Sequence, residues 1–232
     1  MKGDNGPSDR KLLLVGKWLL VTMLGWAISL LAIGGASVHS WSEWQALVVS
    51  YGLNGALIGA LVGLGQARIL GPWQVPSLKW TLVTLVLYVV GLLAGVVLTS
   101  AINFWTWPAE LPMLTGASTT FMWIDVLHIA PVAGTVLGLG QWWVLRGYIG
   151  PTTRLGGPLW TLGNICGLGI GGFLARIISG LTWLGYFSYP VGRLAERAVV
   201  GAILGLITGA ILVILRQSEQ PKPFTPMTAN LQ

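Results

Sequence analysis

The sequence predicts an all-α membrane protein with six transmembrane helices, and three observations lead to this class. Only 9% of the 232 residues are charged, 54% are hydrophobic, and the mean hydropathy is +0.74. About a quarter of the residues are charged in soluble chains, so these charges are too few to cover a soluble surface. Six apolar stretches reach the roughly 20 residues that a membrane-spanning helix needs. Two of them end in nearly the same octapeptide, which indicates an internal repeat.

The six spans are predicted at residues 12–35, 46–70, 79–102, 122–146, 159–184 and 194–215. No soluble domain fits in the remainder, so residues 1–217 are predicted to form a single transmembrane domain. Residues 218–232 contain three prolines and few apolar side chains, which predicts a disordered cytoplasmic tail. The first stretch is too long for the core of a cleaved signal peptide, which favours an uncleaved span.

Lysine and arginine residues predict the orientation, because they concentrate in cytoplasmic loops. With six spans, ten of the thirteen fall on one side: Lys2, Arg10, Lys11, Lys17, Arg68, Lys79, Arg146, Arg154, Arg216 and Lys222. Arg193 and Arg197 fall on the other side, and Arg176 lies inside the fifth span. Both termini are therefore predicted to be cytoplasmic, in the plasma (inner) membrane of a bacterium. This placement accounts for the net charge of +6, so the lipid bilayer is the predicted partner and no nucleic acid is.

The octapeptide GLGQARIL at residues 63–70 returns as GLGQWWVL at residues 138–145. Extended backward, the two copies cover residues 59–66 and 134–141, and a third copy at residues 201–208 replaces the glutamine with Thr208. The odd-numbered spans also match, because Trp18, Trp80 and Trp160 are each followed four residues later by a small polar residue. The repeating unit is therefore a two-helix hairpin, at about residues 12–70, 79–146 and 159–215. Hairpins that start on the same side form parallel copies, which predicts a pseudo-threefold bundle.

Glycines spaced four apart recur in the second helix of each hairpin. These candidate packing positions are Gly55, Gly59, Gly63, Gly134, Gly138, Gly201, Gly205 and Gly209. Glycine lets helices approach closely in lipid, so these faces are predicted to point into the bundle. Gln66 and Gln141 share the same faces. They either hydrogen-bond between helices or, with Thr208, form a polar ring near the cytoplasmic end of a central cavity.

Ionisable residues inside a membrane indicate functional sites by default. Six are predicted at a similar depth near the outer interface: Asp125, His128, Arg176, Arg193, Glu196 and Arg197. One interpretation is a set of interfacial ion pairs. The other is an outward-facing polar pocket, in which Arg176 and Arg197 bind an anion and Asp125 with His128 responds to protons.

The remaining polar and aromatic residues carry no recognisable chemistry. The sequence has no catalytic motif, no metal-ligand spacing and no cofactor motif, so no catalytic residue, metal or cofactor is predicted. The thirteen tryptophans are expected to anchor the helices at the two interfaces, with Trp18, Trp80 and Trp160 at the inner one. The single cysteine, Cys166, is expected to be a buried packing residue.

The segment from Gly134 to Arg146 has the pattern G-x-x-x-G-x-x-Q-W-x-x-L-R. It resembles uncharacterised bacterial polytopic membrane proteins that repeat this pattern in helical hairpins. The match is partial at residues 63–70, which lack the tryptophan and place Arg68 earlier, and weak in the third copy. The resemblance implies the repeat and no activity.

These observations predict a non-enzymatic integral membrane protein. The abundance of packing motifs favours a structural or accessory component that packs against other membrane-protein subunits. The alternative is a small-solute transporter or a substrate-binding membrane subunit that uses the outer polar cluster.

Overall fold

A computed structural model of the chain describes residues 7–33, 43–106, 119–149 and 155–217, which form six α-helices. The helices are α1 (Pro7–Ile33), α2 (Glu43–Leu70), α3 (Ser77–Thr106), α4 (Thr119–Leu145), α5 (Gly156–Trp183) and α6 (Tyr189–Gln217). No strand occurs among the described residues, so the predicted all-α class is confirmed. Each helix begins two to five residues before its predicted span.

Length and composition make five of the helices, all except α4, long and apolar enough to cross a membrane. In α4 the apolar segment among the described residues, Ile129–Leu145, is shorter. Large apolar side chains such as Leu64, Leu82 and Leu139 are exposed on the outside of the bundle. Lipid is the solvent that such a surface fits. The chain is therefore an integral membrane protein.

The helices form a closed ring, because each packs against the next along the chain and α6 packs against α1. Neighbouring helices are antiparallel. In α2 and α3, for example, Gly55 lies over Val89 and Gly63 lies over Thr81. One end of the ring therefore contains the beginnings of α1, α3 and α5, and is named here the tryptophan end. The opposite end contains the beginning of α6 and is named the arginine end.

The predicted packing glycines lie where α2, α4 and α6 contact the following helix round the ring. A Cβ atom built on Gly59 would lie 2.5 Å from the Cα of Leu85 on α3. Built on Gly138 it would lie 2.5 Å from the Cα of Thr161, and on Gly201 2.7 Å from the Cα of Met23. The glycine faces are thus buried, but they point at a neighbouring backbone rather than at the central axis.

Cys166 also differs from its expected position, because it is exposed on the outer surface of α5. Two neighbouring glycines of α5 explain the difference. Gly163 and Gly167 occupy the buried face of α5, and Cys166 lies outside that face.

Candidate functional site

Three tryptophans meet at the centre of the ring near the tryptophan end. The ring centroid of Trp18 lies 6.3 Å from that of Trp80 and 6.1 Å from that of Trp160. All three are 0% exposed. Their expected role as interfacial anchors is therefore wrong, because an anchor would face the headgroups. These residues, named the tryptophan layer, fill the interior where three helices begin.

A layer of polar side chains lies next to the tryptophan layer, with one residue from each helix. This polar layer consists of Thr22, Gln66, Thr84, Gln141, Asn164 and Thr208, all of them buried. Each odd-numbered helix contributes the residue one turn after its tryptophan. Because a buried polar group in a membrane needs a partner, the bonds within this layer determine what it can do.

Tryptophan indoles and glutamine amides connect the polar layer across helices. Trp18 Nε1 donates to Thr208 Oγ1 at 3.0 Å, and Trp160 Nε1 donates to Gln141 Oε1 at 3.2 Å. Gln141 Nε2 donates to Thr84 Oγ1 at 3.3 Å. These bonds join α1 to α6, α5 to α4 and α4 to α3, so they hold the ring together.

The first glutamine makes fewer bonds than the second. Gln66 Nε2 donates to Thr22 Oγ1 at 3.2 Å, but Gln66 Oε1 is buried with no hydrogen-bond partner among the described residues. Trp80 Nε1 is likewise buried without one. In the sequence repeat, Trp80 corresponds to Trp160 and Gln66 corresponds to Gln141. Trp160 and Gln141 hydrogen-bond to each other, whereas Trp80 Nε1 and Gln66 Oε1 do not.

The predicted polar ring does not open onto the cavity of the bundle. Gln66, Gln141 and Thr208 are 4%, 3% and 3% exposed, and none of them lines the cavity described next. The arrangement matches the interpretation in which the amides bond between helices.

A cavity of about 300 Å³ opens at the arginine end and is named the arginine cavity. Every helix contributes to its lining, with Trp26, Tyr51, Leu92, Ile129, Arg176 and Arg197 taken in order from α1 to α6. The cavity is therefore central, and its volume is at the lower end of the range for small-molecule sites.

The arginine cavity brings together four of the six predicted outer residues. Arg193 Nη1 donates to Glu196 Oε2 at 2.9 Å, whereas Glu196 Oε1 is buried without a hydrogen-bond partner among the described residues. Arg176 and Arg197 lie in the same lining. Arg197 forms no ion pair with any described residue, although Glu196 is close enough to interact with it through space. The side chains of Asp125 and His128 lie outside the described residues.

Arginine side chains outnumber carboxylates in this lining by three to one. A guanidinium in a partly enclosed site binds carboxylate or phosphate groups through charge-assisted hydrogen bonds. The described lining contains no serine, cysteine or histidine, and no group of three metal-ligating side chains occurs among the described residues. The arrangement is suited to holding an anion.

Sequence reasoning missed the aromatic pair deeper in the bundle. Trp26 Nε1 donates to Tyr88 Oη at 3.4 Å, the ring centroids are 6.1 Å apart, and Trp26 lines the cavity. A sequence feature could have identified Trp26, since it lies eight residues after Trp18 and therefore on a similar face of α1.

The comparisons with known proteins give no family for this chain. No protein-family model, curated protein or solved structure matches it. The resemblance carried by residues 134–146 therefore stays a prediction, and the function must be inferred from the geometry.

Proposed function

We propose that the protein is a non-enzymatic membrane protein that binds an anionic small solute in the arginine cavity, as a substrate-binding subunit or a transporter. The observation that carries the proposal is Arg197. Its guanidinium is half-buried in a central cavity, beside Arg193 and Arg176, without an ion-pair partner among the described residues. Three arginines and one glutamate line the cavity, and a bound anion offsets this excess of positive charge.

The internal repeat supports a threefold arrangement of the helices. Corresponding positions of the three predicted hairpins have matching environments. Leu70, Leu145 and Leu212 are all 0% exposed, whereas Leu20, Leu82 and Leu162 are 48–55% exposed. We therefore propose three parallel hairpins around a pseudo-threefold axis, with the tryptophan and polar layers closing one end of that axis.

We further propose that both termini are cytoplasmic and that the arginine cavity faces outward across the plasma membrane. Arg68, Lys79, Arg146 and Arg216 are all exposed at the tryptophan end, as the positive-inside rule requires of the cytoplasmic side. The topology is testable in a Cys166→Ser background, with single cysteines at Leu155 and Tyr186. In intact cells an impermeant thiol reagent should label Tyr186→Cys, and Leu155→Cys only after permeabilisation. The opposite pattern would reverse the orientation.

Anion binding is tested on the purified full-length protein by calorimetry and thermal unfolding with inorganic phosphate. Wild-type protein should bind and be stabilised, and Arg197→Gln should weaken binding about tenfold or more. The reason is that a hydrogen bond to a charged group contributes about 1.5–3 kcal/mol. Arg68→Gln, an exposed arginine at the other end, is the matched control. Equal responses of wild type, Arg197→Gln and Arg68→Gln would contradict a specific site.

An accessory role is the second candidate, and the turn between α5 and α6 favours it. Trp183, Tyr186 and Tyr189 are each at least 70% exposed there, and tyrosine and tryptophan are enriched at protein interfaces. The glycine motifs no longer support this role, because this chain's own helices cover them. A photo-crosslinker at Tyr186 should capture a defined subunit in cells, whereas one at lipid-facing Leu162 should not. Identical products at both positions would contradict the accessory role.

A further inference from the structure

The arginine cavity has charged side chains near its opening, named the charged level, and apolar side chains deeper in the bundle, named the apolar depth. On α5 it extends from Arg176 to Leu168, and on α6 from Arg193 to Val200. Eight and seven residues of helix correspond to roughly 12 Å and 10 Å along the bundle. The cavity is therefore deeper than a single phosphate or carboxylate group needs.

Apart from the hydroxyl of Tyr51, which also lines the cavity, the deeper part offers almost no polar contact. Its walls are Trp26, Leu92, Ile129, Ala130, Leu168 and Val200. The indole N–H of Trp26 is already donated to Tyr88, so the aromatic pair adds ring surface there rather than a free donor. Water in such a space would lack the two to four polar partners that ordered water needs.

We propose that the natural ligand is an amphiphile with a compact anionic head, of the phosphate or carboxylate class, and a short apolar chain. The head binds Arg197 at the charged level, and the chain extends between Leu168 and Val200 towards Trp26. This inference rests on the proposed anion-binding function. A purely hydrophilic anion would leave water against the apolar walls, and a neutral hydrocarbon would leave Arg197 without an ion-pair partner among the described residues.

The chain length of the ligand gives a direct test. Inorganic phosphate, methyl phosphate, butyl phosphate and hexyl phosphate are titrated into the full-length protein in nanodiscs. Each added methylene should tighten binding about three- to fourfold, until the chain reaches Trp26 and the gain stops. Alkyl trimethylammonium ions of the same chain lengths measure partition into the nanodisc, and they should show no site that Arg197→Gln abolishes.

A variant that fills the apolar depth separates the two parts of the site. Leu92→Trp should retain phosphate binding and lose the dependence on chain length. Ile129→Phe serves the same purpose if Leu92→Trp does not fold. The control is Leu82→Trp, ten residues before Leu92 on the lipid-facing surface of the same helix, which should keep the full dependence.

The outcomes distinguish this inference from the function on which it rests. Equal affinity for phosphate and hexyl phosphate would overturn the amphiphile and leave anion binding in place. Absence of binding by every phosphate would overturn both. If binding does depend on chain length, competition by phosphatidic acid in the nanodisc would identify the ligand as a membrane lipid. Hexyl phosphate binding that phosphatidic acid does not displace assigns it to a soluble amphiphile.

Discussion

The two buried glutamines look equivalent in sequence but differ in their bonds. Gln141 donates to Thr84 and accepts from the Trp160 indole, whereas Gln66 only donates to Thr22. Gln141→Met should therefore break two interhelical bonds and leave an indole N–H without a partner, and Gln66→Met should break one. We expect the free energy of unfolding to fall more for Gln141→Met, at about 0.6–2 kcal/mol for each bond.

The measurement for the glutamines is thermal or denaturant unfolding of both variants in one detergent. Methionine has a volume similar to that of glutamine, so cavity formation does not confuse the comparison. Equal losses for the two variants would show that Gln66 Oε1 accepts from the Trp80 indole, as Gln141 Oε1 does from that of Trp160.

Glu196 is the negatively charged residue in the described lining of the arginine cavity. Its neutralisation tests whether the cavity binds anions. Glu196→Gln keeps the shape and leaves an amide oxygen to accept from Arg193. The cavity loses one negative charge beside Arg197, so phosphate should bind several-fold more tightly. Calorimetry with phosphate checks the direction. Weaker binding would mean that Glu196 holds the arginines in place rather than opposing the anion.

Residue identities alone predicted part of this site. The i, i+3 spacing of Arg193 and Glu196 on one helix is compatible with their contact, because such residues are neighbours on a helix surface. Arg176, Arg193 and Arg197 were predicted at a similar depth, and they line the same cavity. The meeting of Trp18, Trp80 and Trp160 was not predictable, because it depends on how three helices turn about their axes once the ring closes.

At the scale of elements, glycine determines how closely neighbouring helices approach. The contact of α6 with α1 closes the ring, and there Gly201 lies against Met23 and Thr22 of α1. Gly201→Ala should push the two helices apart and lower the free energy of unfolding by about 1–3 kcal/mol. Thermal unfolding of the full-length protein measures this effect.

Gly16→Ala on α1 is the control for that contact, since a Cβ there would meet no atom within 4 Å. It should be neutral or slightly stabilising, because alanine favours helix more than glycine does. Equal losses for Gly201→Ala and Gly16→Ala would show that backbone freedom, not helix contact, explains the glycines.

The sequence predicted the helices and their small-residue faces well, but not which helix each face meets. Gly59, Gly138 and Gly201 have the same local pattern, and each contacts the next helix round the ring. The glycine spacing predicts that another helix packs closely against this face. It does not predict which helix that is. For the same reason Cys166 was misplaced, since the buried face of α5 is set by Gly163 and Gly167 and lies to one side of it.

For the whole molecule, the ring encloses two different halves. The tryptophan and polar layers fill the interior of one, and the other contains a cavity. Composition predicted the membrane class, and the positive residues predicted an asymmetry between the ends. The filled interior of the tryptophan end depends on side chains from all six helices. It therefore could not be predicted from any single segment of the sequence.

This asymmetry is measurable with single cysteines in a Cys166→Ser background, which removes the exposed native thiol. Ala175→Cys lines the arginine cavity, and Ala67→Cys is matched in size but 1% exposed in the core of the tryptophan end. A sulfonated thiol reagent should label Ala175→Cys from outside intact cells and should not label Ala67→Cys even in opened membranes. Labelling of Ala67→Cys would mean that water passes the tryptophan layer, whereas an unreactive Ala175→Cys would mean that the cavity is not reached from outside. Protection of Ala175→Cys by phosphate, lost in Arg197→Gln, would connect the open half of the ring to its anion.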